Sequence, residues 1–261
     1  MLGAAITTTL LWVNPVAEAA VTAPDVLVKT GVRDKRGDTL PLTLPVTTPD
    51  GGQAPLQDWI KADKPTILTF NYAGCPMLCG LQQDGLARSL KELNLTSGQD
   101  YTLLTVGIDT NETTALADGA TARLSSLVDG EWRFLTAPEA SIVSLTDAAG
   151  FDYQYDKVSK QYAHPAATYI LTSEGQISQY FTAIQPDSRD IRWALVEAGK
   201  GQVGSVLDQV ALTCLQYDLS TNAYVARGVM RSGGIAIVGG LFAFFGVLWQ
   251  RERRRWRKDN V

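Results

Sequence analysis

Histidine is scarce in this chain: one residue, His164, in 261, beside three cysteines at Cys75, Cys79 and Cys214. So little sulfur and imidazole leaves few ways to place thiol or metal chemistry. Charge is thin as well, with 19% Asp, Glu, Lys and Arg and a formal net charge of −4. It is also uneven. After Gln250 the tail carries Arg251, Arg253, Arg254, Arg255, Arg257 and Lys258 against Glu252 and Asp259, a net of +4 that leaves −8 on the remainder. An acidic body without a basic stripe argues against nucleic acid as a partner. There is no internal repeat.

Apolar residues are plentiful. Hydrophobic side chains make up 45% of the chain, enough to bury a core and too many for a disordered tail. The length allows one ordinary domain plus appended segments. Met1 to Val16 carries no charge and reaches Ala17-Glu18-Ala19, a small-x-small pattern before Ala20. That predicts an export signal over 1–19, with an uncleaved N-terminal anchor as the second reading. On either reading the following domain is exported.

A second apolar run, the 19 uncharged residues Ser232 to Gln250, lies between Arg231 and Arg251. As a helix it would be ~28 Å long, close to a hydrocarbon core of ~30 Å. The arginine cluster directly after it predicts a cytoplasmic C-terminus. The expected organisation is a signal over 1–19, a globular domain over 25–200, and a juxtamembrane segment over 201–231. A membrane helix over 232–250 and a basic cytoplasmic tail over 251–261 follow. The domain is expected in the periplasm.

Within the domain, Asp50-Gly51-Gly52 reads as a turn and Leu56–Ile60 as a short helical turn, with a strand candidate at Leu40–Val46. Thr66–Tyr72 is an apolar strand. A helix is expected through Gly80–Leu93, with Leu81, Leu86, Leu90 and Leu93 inward. Tyr101–Ile108 is a second strand ending at Asp109. Thr113 and Thr114 can cap a helix to about Val128, with Leu116, Leu124 and Leu127 inward. Trp132–Leu135 is strand-like and Ala140–Ala149 helical. Thr168–Leu171 and Gln176–Phe181 flank Ser173-Glu174-Gly175 as a hairpin, and Asp187–Ala198 is a last helix. This order predicts an α/β domain around a mixed central sheet. A cysteine pair at its strand-to-helix junction points to a thioredoxin-like fold.

If Cys75 caps that helix, Pro76 takes the first helical position, where its missing N–H costs nothing. The helix end would then favour a thiolate, for metal ligation or for thiol–disulfide exchange. Spacing separates the two uses only weakly. Residues four apart on a helix have Cβ atoms ~5–6 Å apart, wider than the ~3.5–4.5 Å of a disulfide. An ion spans the gap with less distortion. Two thiols and one imidazole suit a soft metal. Two packed thiols, or a lone surface histidine, remain the plain alternatives for the separate residues. Cys214, in an apolar stretch, reads as a buried thiol.

Three segments taken together resemble the Sco/SenC family of membrane-anchored copper proteins that assemble cytochrome c oxidase. They are Phe70-Asn-Tyr-Ala-Gly-Cys-Pro-Met-Leu-Cys79, Val106-Gly-Ile-Asp109, and His164-Pro-Ala-Ala-Thr-Tyr-Ile-Leu171 leading into a glycine-turn hairpin. The segment Thr213-Cys-Leu-Gln-Tyr-Asp218 and the C-terminal apolar helix resemble a bacterial branch of it. The resemblance implies a thioredoxin-like fold that binds Cu(I) or Cu(II) through Cys75, Cys79 and His164, with Asp109 beside the site. It also implies a copper client such as cytochrome c oxidase subunit II. Asp109 could instead be a plain strand-end cap. The chain departs from the pattern at Thr110 in place of proline, at Gly80 in place of proline, and at Gln216 in place of histidine. At Thr113 many members carry a second acid, for which Glu112 is the candidate substitute. The competing activity is thiol–disulfide exchange on a partner's cysteines, with Cys75 as nucleophile.

Overall fold

The computed structural model describes residues 30–48, 50–75, 78–200, 215–218, 223–226 and 249. Its centre is a five-stranded mixed sheet. In chain order the strands are β1 (Thr66–Asn71), β2 (Thr102–Gly107), β3 (Arg133–Leu135), β4 (Thr168–Leu171) and β5 (Ile177–Phe181). Their spatial order is β5-β4-β1-β2-β3. β1, β2 and β3 run parallel, whereas β4 is antiparallel to β1 and to β5. Every residue of β1, β2 and β4 is buried, as expected where helices and loops cover both faces.

Alternation along the strands divides the core in two. Ile67, Leu103, Phe134 and Ile170 meet three helices: α1 (Leu78–Lys91), α2 (Thr114–Ser125) and α4 (Ser188–Ala198). Leu68, Phe70, Leu104, Val106, Tyr169 and Leu171 meet α3 (Glu139–Ala149) and the segment before β1. That segment contains the strand pair Pro45–Thr47 and Gln53–Pro55 around the predicted turn, then a 3-10 turn at Leu56–Trp59. The β4–β5 hairpin turns at Gly175, whose φ of 80° favours glycine.

The amphipathic faces differ from expectation at two leucines. Leu81 is 50% exposed and Leu116 53% exposed. In α1 the inward stripe runs through Cys79, Gln82, Gln83, Leu86, Ala87 and Leu90, at the helical spacing of three and four. Leu81, five residues before Leu86, falls off it. In α2 the inward face is Ala117, Ala120 and Leu124, which leaves Leu116 outside. Thr113 caps α2, its hydroxyl accepting from the Leu116 N–H at 3.4 Å. Asp187 caps α4 in the same manner.

The export signal, Pro76, Cys214, and all but Trp249 of the apolar run Ser232–Gln250 lie outside the described residues. Among those described, no helix is long and apolar enough to cross a membrane. Leu215–Asp218 pairs with Ala223–Ala226 as an antiparallel ladder.

Candidate metal centre

The C-terminal end of β1 runs into the turn Tyr72-Ala73-Gly74-Cys75, closed by the Cys75 N–H donating to the Tyr72 carbonyl at 3.3 Å. Cys79 follows on the first turn of α1, and its backbone N–H donates to Cys75 Sγ at 3.3 Å. The sulfurs are thiols, not a disulfide. Cys79 is buried and Cys75 partly so.

His164 arrives at the same end of the sheet, from the loop that opens β4, the antiparallel neighbour of β1. A hairpin of Gln154–Asp156 and Gln161–Ala163 delivers it just before β4. Its Nδ1 lies 3.0 Å from the Pro165 carbonyl oxygen. That oxygen can only accept, so Nδ1 is the donor of this pair, and Nε2 is the ring nitrogen turned toward the sulfurs. Nε2 stands 3.1 Å from Cys79 Sγ. One donor atom from each of Cys75, Cys79 and His164 lies within 4.8 Å of the others. Among the described residues this is the one cluster able to hold a metal ion.

Burial sets the chemistry of these groups. The hydrogen bond to Cys75 and then desolvation push the Cys79 thiol above its ordinary pKa. The thiolate-favouring effect of a helix end therefore does not prevail at Cys79. An ion bound at Cys79 would have to displace that proton, which would couple its uptake to proton release. Aromatic rings wall in the imidazole: Tyr72 at 5.9 Å and Phe151 at 6.0 Å between centroids, with Tyr162 5.5 Å beyond Tyr72. Tyr72 also hydrogen-bonds the Cys75 side chain, and burial followed by that bond raises its phenol pKa.

Asp109 lies outside the donor cluster. Its carboxylate accepts from the Asn111 N–H at 3.0 Å and from Asn111 Nδ2 at 2.9 Å, capping the end of β2. The inward acid is Glu112, which bonds the Ala73 N–H. Burial, reinforced by the charge of Asp109, pushes its carboxyl up to about 7. Thr113, one of the two threonines expected to cap a helix, is the α2 cap.

Sequence reasoning missed the His164-bearing hairpin and its tyrosines. The alternation Phe151-x-Tyr153-x-Tyr155, followed by the turn-forming Asp156, was the available signal.

A thiol–thiol–imidazole cluster at the strand-to-helix junction of a mixed α/β domain defines a candidate metal-binding protein, consistent with the thioredoxin-like fold. The SCO1/SenC family model matches residues 51–196, more than half of the chain, and the chain belongs to that family. Solved structures agree in fold. One is a protein of Aquifex aeolicus VF5 provisionally named for electron transfer, 21% identical with a TM-score of 0.55, covering 62% of this chain and 94% of that one. Another is Arabidopsis thaliana ScoI with copper bound, 17% identical with a TM-score of 0.50, covering 60% of this chain and 96% of that one. No curated protein matches.

Proposed function

We propose that this chain is a membrane-anchored copper chaperone whose ligands are Cys75, Cys79 and His164. Its client is the binuclear copper site of cytochrome c oxidase subunit II. The observation that carries the reading is the approach of the three donor atoms to within 4.8 Å of one another. The donors fit the cargo. Two thiolates suit Cu(I), and an imidazole extends the range toward Cu(II). The Arabidopsis relative with copper bound supports the choice of metal.

The chain's own groups divide the work. His164 is held through Nδ1 by the Pro165 carbonyl, which turns Nε2 toward the cluster. The aromatic wall keeps water from the imidazole. Cys75, the less buried sulfur, is the side from which a client thiolate can approach. Ligand exchange there passes the ion on without releasing it. The apolar run Ser232–Gln250 and its arginine tail support a tether that keeps the exported domain near a membrane client and raises the effective concentration.

Anaerobic Cu(I) titration of the full chain against a chromophoric chelator tests the reading. Wild type is expected to bind about one ion, and Cys75→Ala, Cys79→Ala and His164→Ala each to weaken binding by at least about tenfold. A His164→Ala chain that binds Cu(I) and Cu(II) as wild type does would sink it. Protease protection of the tail in intact spheroplasts tests the anchor, since a tail cleaved from outside reverses the orientation.

A second reading, thiol–disulfide exchange on the client's cysteines, draws on two neighbouring thiols with unequal access. There Cys75 attacks first, and His164→Ala should leave that attack within severalfold of wild type.

A further inference from the structure

Glu112 belongs to neither the donor set nor the helix cap at Thr113, yet it is turned inward from the loop after β2. Its backbone N–H donates to the Asp109 carbonyl at 3.2 Å, closing the turn that carries it. Its Oε1 accepts from the Ala73 N–H, in the tight turn that ends at Cys75. Its Oε2 is buried without a partner. The space that this oxygen occupies exists because residue 107 is glycine, since a Cβ there would fall on Glu112 Oε2 and crowd the Phe134 ring at 3.1 Å. Asn71, in register with Gly107 across β1 and β2, carries a buried amide that also lacks partners.

A carboxyl oxygen buried without a partner is costly. A surface acid could have closed the loop after β2 without that cost, as Asp109 does through Asn111. What the buried arrangement adds is a fixed link between two loops. The turn presenting Cys75 is fastened, through one backbone N–H two residues away, to the turn following β2.

We propose that Glu112 is a positioning residue for Cys75. Its carboxyl, admitted by the missing side chain at Gly107, clasps the Ala73 N–H and sets the Cys75 sulfur against Cys79 and His164. The proposal rests on the copper reading for its metal readout only, because the clasp also governs the thiol of the metal-free chain.

The experiment uses the detergent-solubilised full chain and two readouts. One is Cu(I) affinity by competition with a chromophoric chelator, and the other is the rate at which a disulfide reagent modifies Cys75 without metal. Glu112→Ala is expected to weaken Cu(I) binding about 10–100-fold, the range for residues that orient ligands, and to change the Cys75 rate severalfold. Glu112→Gln keeps the accepting oxygen and should stay within about threefold of wild type on both. Gly107→Ala pushes the carboxyl aside and should reproduce Glu112→Ala, with no added loss when the two are combined.

If Glu112→Ala lowers Tm but leaves both readouts at wild-type values, the residue is merely structural and the proposal is overturned. A Glu112→Gln loss as large as that of alanine overturns it too, because charge and not the clasp would then matter. If wild type itself takes up no stoichiometric Cu(I), the copper reading fails, and the thiol rates alone decide the clasp. Should Glu112→Ala not fold, Gly107→Ala set against Glu112→Gln separates the same two outcomes.

Discussion

The imidazole Nε2 of His164 lies 3.1 Å from the sulfur of Cys79, across 85 positions of sequence. Two loops at one end of the sheet produce that approach, one closing β1 and the other opening β4. The strands beneath them are antiparallel neighbours with Thr168 opposite Thr69. Disturbing either loop should be felt at the site.

The buried sulfur should be the slow one. Cys79 is 2% exposed and its thiol is held protonated by the bond to Cys75 and by burial. Alkylation of the metal-free chain at pH 8, followed by peptide mass spectrometry, should label Cys75 at least about tenfold faster than Cys79. Equal labelling would mean that the pocket opens readily.

Glu112 gives the fold a pH dependence of definite sign. Its carboxyl sits at about 7 in the fold against an ordinary value of 4.5, so the folded chain keeps a proton that the unfolded chain loses. That contribution is complete below pH 4.5 and disappears as pH rises through 7. Glu112→Gln should therefore gain about 1–3 kcal/mol over wild type above pH 7 and match it near pH 4, by urea denaturation at both pH values. A constant difference at all pH values would refute the assignment.

Gln82 ties α1 to the loop that bears His164. It is fully buried, and its Nε2 donates to the Ala167 carbonyl at 2.9 Å. Gln82→Leu should cost about 1–3 kcal/mol, because the carbonyl is left without a donor. The denaturant midpoint would record it, and an unchanged midpoint would show that the bond contributes nothing.

Trp132 anchors the far side of the sheet. It is fully buried and donates through Nε1 to Thr105 Oγ1 at 2.9 Å. Trp132→Ala should remove about 3–5 kcal/mol without altering the Cys79–His164 approach. Retention of metal uptake at temperatures below the lowered Tm would separate scaffold from site.

Much of this architecture could be read from the residues, and the failures share a cause. Strong strands such as Thr66–Asn71 and the glycine-turned hairpin at Gly175 declare themselves by β-branched runs and turn chemistry. The three clustered donor residues were reachable through their motifs. Helix faces were misread where hydrophobicity was the sole guide. Gln82 and Gln83 occupy the inward stripe of α1 while Leu81 points outward, because Gln82 serves a carbonyl and Gln83 accepts from Arg123. Asp109, expected beside the site or as a strand-end cap, bonds Asn111, while Glu112, the candidate second acid, bonds the Ala73 N–H. A short acid beside Asn111 finds its bonds locally, whereas the longer one reaches the next loop. No single-residue property states such a partnership.

The two sulfurs of the cluster are unequally buried, Cys79 enclosed and Cys75 only partly so. The rings of Tyr72 and Phe151 flank the imidazole, with Tyr162 beyond Tyr72, and the more accessible sulfur of the cluster is that of Cys75. Under the copper reading proposed above, a recipient thiolate would compete first for the outer sulfur of Cys75, and the imidazole would let go last.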